Sequence, residues 1–170
     1  MSSTKKVKDS HTIMTQLIMP NDTNHLGNLM GGVMMRWMDI VCALSAMRHC
    51  NTPVVTAAVD HISFQQPIDL GSMITLEGFV TRTFRTSLEV FVEVYSEDLK
   101  GTKTKCNDAF FTFVSLDEDT KRPSKAPGII PESKREKELF EGALRRRDLR
   151  LIMAGRMDPK SADHLKKIFS

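Results

Sequence analysis

The segment "VMMRWMDIVCALSAM", residues 33–47, constrains the chain more than any other. Its apolar residues cover every face at helical spacing, and only Arg36 and Asp39 carry charge. A helix that is apolar all round is a buried one. It falls short of the roughly 18 unbroken apolar residues that span a bilayer, so protein must wrap it.

The wrapping material lies on both sides. Before the helix, "HTIMTQLIM" at residues 11–19 reads as a strand stopped by the turn chemistry of Pro20, Asn21 and Asp22. After Pro53 come four more strand-like runs, at 54–64, 72–81, 87–97 and 103–116. In "SLEVFVEVY", Leu88, Val90, Val92 and Val94 alternate with Glu89, Phe91, Glu93 and Tyr95, the period of a half-buried antiparallel strand. The connections "PIDLG", "RTFRT" and "DLKGT" are short enough for hairpins or neighbouring strands. This order predicts an α+β fold: one antiparallel sheet curved around one long helix.

The chain of 170 residues suits one domain with an extension. Residues 1–9 are expected to be a disordered N-terminal segment, 10–122 the domain, and 123–170 a linker, a basic C-terminal helix and a tail. Within that last part "PSKAPGII" reads as linker and "PESKREKELFEGALRRRDLRL" as a second helix. Ser133 and Glu136 make a capping box, and Arg145, Arg146, Arg147 and Arg150 fall late, where the helix dipole favours cations. Phe140, Leu144 and Leu151 form a narrow stripe that would dock it on a neighbour. Residues past about Ala154 are expected to be disordered.

Charge narrows the function classes. Residues 131–170 hold eleven Lys and Arg against seven Asp and Glu, and the rest of the chain thirteen against fourteen. The basic tail is too mild, and too free of interleaved aromatics, to argue for nucleic acid. The N-terminus has lysines and no apolar core of a signal, and no membrane span appears, so a cytoplasmic protein is expected. The cysteines Cys42, Cys50 and Cys106 have no metal-ligand spacing, and their odd number suits a reducing compartment. Nor do His11, His25, His49, His61 and His164 form a metal motif.

Asp39 is the exception within the apolar helix. A carboxylate there costs several kcal/mol unless it is paired, solvated in a cleft or neutralised. A structural partner such as Arg36 and a catalytic role are both open on this ground. Gly31 and Gly32 stand where the helix would begin, with unpaired N–H groups, the positive end of the dipole and no side chains to block a carbonyl oxygen. Close packing is the plain alternative for two such glycines. Eight residues at 1.5 Å each put Asp39 roughly 12 Å from Gly31, too far to share one carbonyl. If both are catalytic, the site forms between two chains of a two-fold dimer.

The runs "PNDTNHLGNLMGGVMMRWMD", "DHISFQQPIDLGSMI" and "RTSLEVFVEVY" resemble the hotdog-fold acyl-CoA thioesterases, in the cytosolic acyl-CoA hydrolase branch. That branch includes the brain-type enzyme with two hotdog domains and single-domain bacterial relatives. The resemblance covers roughly residues 10–118 and turns on the spacing Asn-x6-Gly-Gly-x6-Asp; the basic extra helix is similar to one in some bacterial members. It implies a hotdog fold, hydrolysis of acyl-CoA to free fatty acid and coenzyme A, no metal or redox cofactor, and a homo-oligomer built as a trimer of hotdog dimers.

The resemblance also implies that Asn24 and Asp39 of opposing protomers form the catalytic pair and that Gly31 or Gly32 helps bind the carbonyl. It assigns the phosphates of coenzyme A to Arg85, Thr86 and Ser87, with Arg82 and Arg145 to Arg147 as secondary candidates. Asp39 as general base for water and an acyl-aspartate route both remain open. The rival function is a non-catalytic acyl-CoA sensor. Sensors of that kind carry a DNA-binding helix-turn-helix, which the residues before the first strand are too few to form. A hotdog dehydratase would want a histidine-based pair instead.

Overall fold

The computed structural model describes residues 4–60, 62, 64 and 66–166. In chain order the elements are β1 (Lys5–Lys6), a 3-10 turn (Val7–Ser10), β2 (Thr12–Leu17), a second 3-10 turn (Pro20–Asp22) and α1 (Gly31–Cys50). Then come β3 (Val54–Asp60), β4 (Met73–Thr83), β5 (Ser87–Glu97), β6 (Lys103–Ser115), β7 (Ile129–Ile130), α2 (Lys134–Met153), a third 3-10 turn (Pro159–Ser161) and α3 (Asp163–Lys166). The expected α+β architecture is present. Strands β2-β4-β5-β6-β3 form one antiparallel sheet, with α1 lying across its inner face.

The alternation in β5 decides which face meets the helix. Val90 pairs in register with Val80 and Phe111, and Val92 with Gly78 and Ala109, so these rows line one face of the sheet. All of these apolar side chains are buried, as are Met34, Met38, Val41 and Cys42 of α1. Closest approach falls at Gly78. A Cβ there would stand 2.8 Å from Val41 Cγ1 and 3.1 Å from Ser45 Oγ, so only glycine lets helix and sheet lie this near. At its far end α1 stops where Asn51 turns left-handed, φ 55°, with its N–H donating to Met47 O at 2.7 Å. Asparagine tolerates that conformation better than other side-chain-bearing residues.

The sheet does not enclose α1 completely. Met35, Ile40, Leu44 and Met47 remain about 38–45% exposed across a broad face of the helix. Strand β3 closes one edge of the sheet with its outer side unpaired, and Val55 and Val59 on it are also exposed.

The opposite face of the sheet carries α2. Its N-terminus has the expected capping box: Glu136 N–H donates to Ser133 Oγ at 3.1 Å, and Ser133 N–H to Glu136 Oε2 at 3.1 Å. The contact that fixes the helix is electrostatic. Glu89, fully buried on β5, receives Arg146 through two bonds of 2.8 and 3.0 Å and the Thr81 hydroxyl at 2.6 Å. The Arg146 guanidinium also lies 3.8 Å over the Phe110 ring. Arg150 reaches Asp60 at 2.6 Å, and Arg135 pairs with Glu93.

Four expectations are corrected. Lys5 and Lys6 pair in parallel with Ile129 and Ile130, and Val7 and Ser10 are buried, so the chain is ordered well before residue 10. The segment expected as a linker packs on the end of α1, with Ala126 buried and Pro127 O bonded to His49 Nε2 at 3.1 Å. Beyond Ala154 the chain turns again through α3, and Ala162 is buried. Strand β3 spans Val54–Asp60, and Ile62 and Phe64 of the expected run lie outside any strand; His61 and Ser63 lie outside the described residues.

Gly78→Ala should destabilise the fold by about 1–3 kcal/mol, the usual cost of forcing one methyl into a packed core. Urea unfolding of the variant beside the wild type measures it, and an unchanged midpoint would show that Val41 yields freely.

Candidate active site

Asn24 and Asp39 lie in separate cavities of the single chain. Asn24, Asn28, Leu29, Gly31, Met34, Phe64, Gln66, Pro67 and Ile68 line one, of about 340 Å³. Asp39 lines another, of about 320 Å³, together with Gly32, Met35, Arg36, Val59, Ile62 and Phe111. No side chain caps the start of α1, so its first N–H groups point out unsatisfied by any cap. The two glycines divide between the cavities. Gly31 faces Asn24, whereas Gly32, seven residues before Asp39 and on the same helical face, belongs with the acid.

Asn24 is held by a short loop that uses up its carbonyl oxygen. Leu26 N–H donates to Asn24 Oδ1 at 2.9 Å and Asn28 N–H donates at 3.2 Å, while Asn24 N–H closes the loop onto Asn28 O at 2.8 Å. Both acceptor positions are taken, and the Nδ2 amide is left to donate. Beside it, a Cβ on Gly31 would come within 3.0 Å of Phe64 Cζ. Glycine leaves the aromatic ring room to lie against the helix entrance.

Asp39 is half-buried, and its partner is Thr56 on β3, whose hydroxyl donates to Asp39 Oδ1 at 2.7 Å. Oδ2 is left for another hydrogen bond. The spacing of Thr56 and Val59 would put them on opposite faces of a regular strand. The register shifts between Thr56 and Ala58, which lets Thr56 oppose Phe113 and Val59 oppose Phe111 on the helix side. This bulge sets the hydroxyl on the acid and the valine in the cavity wall. One turn further along α1, burial pushes the Cys42 thiol well above its ordinary pKa, with the charge of Asp39 adding to the effect, so it stays protonated.

Thr56 was not among the residues singled out from sequence. The strand was legible but the bulge was not, and no local pattern pairs a strand threonine with a helix acid 17 residues earlier. Arg85, Thr86 and Ser87 line neither cavity. They form the β4–β5 turn, where Ala126 N–H donates to Arg85 O and Ser115 N–H to Thr86 O. Arg147 of α2 lies 4.9 Å over the ring of Phe84, the residue before Arg85. Arg82 is otherwise engaged, donating to Phe140 O at 2.9 Å. His61 lies outside the described residues.

Comparison with known proteins identifies the family. Residues 26–103 match the family model described as the thioesterase superfamily. An uncharacterized acyl-CoA thioester hydrolase of Bacillus subtilis is 37% identical over 144 residues, 84% of this chain and 83% of that protein. The cytosolic acyl coenzyme A thioester hydrolase of Mus musculus is 38% identical over 138 residues, 79% of this chain but 36% of the longer mouse protein. Among solved structures, the acyl-CoA hydrolase from Staphylococcus aureus in complex with butyryl coenzyme A, coenzyme A and coenzyme A disulfide superposes with a TM-score of 0.83. It is 30% identical, over 90% of this chain and 95% of that one. The chain therefore belongs to the thioesterase superfamily and is a hotdog-fold thioesterase.

Proposed function

We propose that the protein hydrolyses acyl-CoA thioesters, releasing a fatty acid and coenzyme A, at a site shared between two protomers. One observation carries the reading: a carboxylate held by a threonine hydroxyl at 2.7 Å opens into an otherwise largely apolar cavity. Such a cavity suits an acyl chain, and the ordered acid suits a base beside its reacting end. Structures of the Staphylococcus aureus hydrolase include alanine variants of one asparagine, one aspartate and one threonine, separated along that chain as Asn24, Asp39 and Thr56 are here.

The division of labour follows from which atoms are free. Gly31 N–H and Asn24 Nδ2 are donors, suited to the oxygen of a thioester carbonyl as negative charge develops on it. Asp39 Oδ2, from the opposing protomer, takes a proton from water as the water oxygen attacks the carbonyl carbon. Collapse of the tetrahedral intermediate breaks the carbon–sulfur bond, and the coenzyme A thiolate takes up the proton. An acyl-aspartate route would use the same acid as nucleophile. The two half-sites meet if the exposed apolar face of α1 and the open edge of β3 pack on a second copy. An unpaired edge strand with apolar side chains is a ready template for such pairing. Solved thioesterases similar to this chain include hexamers, which supports a trimer of such dimers.

Coenzyme A brings phosphates to the rim of the site. Arg85 on the β4–β5 turn, with Arg147 beside it on α2, is the cationic surface proposed to meet them.

Three measurements test these assignments. Thiol release from short-, medium- and long-chain acyl-CoAs should be abolished in Asp39→Ala; tight binding without turnover by the wild type would favour the sensor. Mixing inactive Asp39→Ala with inactive Asn24→Ala should restore activity through heterodimers with one intact site, and failure despite demonstrated subunit exchange would refute the shared site. Arg85→Ala should raise KM more than it lowers kcat; an unchanged KM would remove Arg85 from the coenzyme A site.

A further inference from the structure

The loop that presents Asn24 is fastened at its far end. Residues 24–28 dock on the strand-like segment before β4 through two backbone bonds, Leu29 N–H to Ile68 O at 2.8 Å and Leu70 N–H to Gly27 O at 3.0 Å. Between these, Asn28 and Asp69 form an antiparallel bridge. One side-chain bond crosses the same bridge, from Asn28 Nδ2 to Asp69 Oδ1 at 2.8 Å.

Asn28 is therefore a hub. Its backbone N–H and C=O both bond to Asn24, one to the side chain and one to the main chain, while its own amide is held by Asp69. Any rotation or drift of Asn28 moves an acceptor and a donor of Asn24 together. Gly27, at φ 77°, gives the loop its sharp turn and adds no side chain to stiffen it. The carboxylate supplies the restraint that the glycine cannot. Asp69 is exposed, so its value to global stability is small; the effect of its hydrogen bond falls on the loop alone.

We infer that Asp69 is a positioning residue for the thioesterase reaction, acting through Asn28 to hold the Asn24 amide in its donating orientation. The inference rests on the proposed role of Asn24. It predicts a loss in the chemical step and not in substrate binding, because Asn24 donates most strongly to the charge that develops on the carbonyl oxygen.

The test compares Asp69→Ala, Asp69→Asn and Asn24→Ala in the full-length protein, by steady-state hydrolysis of a saturating acyl-CoA and by thermal unfolding. Asp69→Ala should lower kcat roughly threefold to tenfold, the scale of one exposed hydrogen bond, with KM and Tm little changed. Asp69→Asn keeps an oxygen acceptor in the same place and should recover most of the lost kcat. An unchanged kcat in Asp69→Ala, with Asn24→Ala inactive, would overturn the inference and leave the role of Asn24 standing. Equal losses in Asp69→Ala and Asp69→Asn would also overturn it, because the carboxylate would then act by charge and not by holding Asn28. Full activity in Asn24→Ala would instead remove the reading on which the inference depends.

Discussion

Everything in this fold follows from the need to bury α1. A 20-residue helix with Met38, Val41, Cys42 and Ala46 at zero exposure cannot stand in water, and the five-stranded sheet exists as its counterpart. Glycine at position 78 sets how closely the two layers approach, and the alternation in β4, β5 and β6 sets which residues meet the helix. Yet one sheet covers only part of a cylinder. A broad apolar face with Met35, Ile40, Leu44 and Met47 is left over, the surface on which the proposed second copy would pack.

The second constraint is electrostatic. Antiparallel sheets have two faces, and here the outer one carries Glu89 and Glu93, both buried under α2. A buried carboxylate without a cation would cost several kcal/mol, so the arginines of the basic extension are matched to the acids of the domain. Arg146 binds Glu89 and Arg135 binds Glu93, which explains a neutral body with a basic tail without invoking an anionic partner. For Glu93, burial works against the charged form, and the bonds from Arg135 and Lys105 outweigh it, leaving its pKa below the ordinary value.

How much of this was legible depends on the range over which each residue is determined. The alternation in 87–97 and the all-round apolarity of 33–47 are local, and both elements stand where those patterns put them. Asp39 was legible as an anomaly because an acid among methionines violates a local rule. Thr56 was not, since its partner depends on a bulge in β3 that no turn residue announces. The order of residues 5–10 was hidden for a similar reason: Lys5 and Lys6 find their strand partner more than 120 residues later, at Ile129 and Ile130. Arg36 shows the opposite error of proximity. Three residues from Asp39 on the same helix, it lines the same cavity, but the bonded partner of the acid comes from the sheet.

The two glycines at the entrance of α1 bring these strands of argument together. Consecutive residues on a helix point about 100° apart, and Gly31 and Gly32 open on different cavities. Gly31 leaves room for Phe64 and a bare N–H beside Asn24; Gly32 lets the cavity of Asp39 run along two turns of helix without a side chain to block its end. On the proposed reading, a single chain thus carries a donor half and an acid half in separate cavities. Hydrolysis of a thioester needs both at one carbon atom. The exposed apolar face of α1 and the open edge of β3 adjoin the acid's cavity, which Met35 and Val59 line. In the proposed mechanism, the surface that hydrophobic burial leaves unfinished is also the surface at which the chemistry is incomplete, and one association with a second copy would resolve the two together.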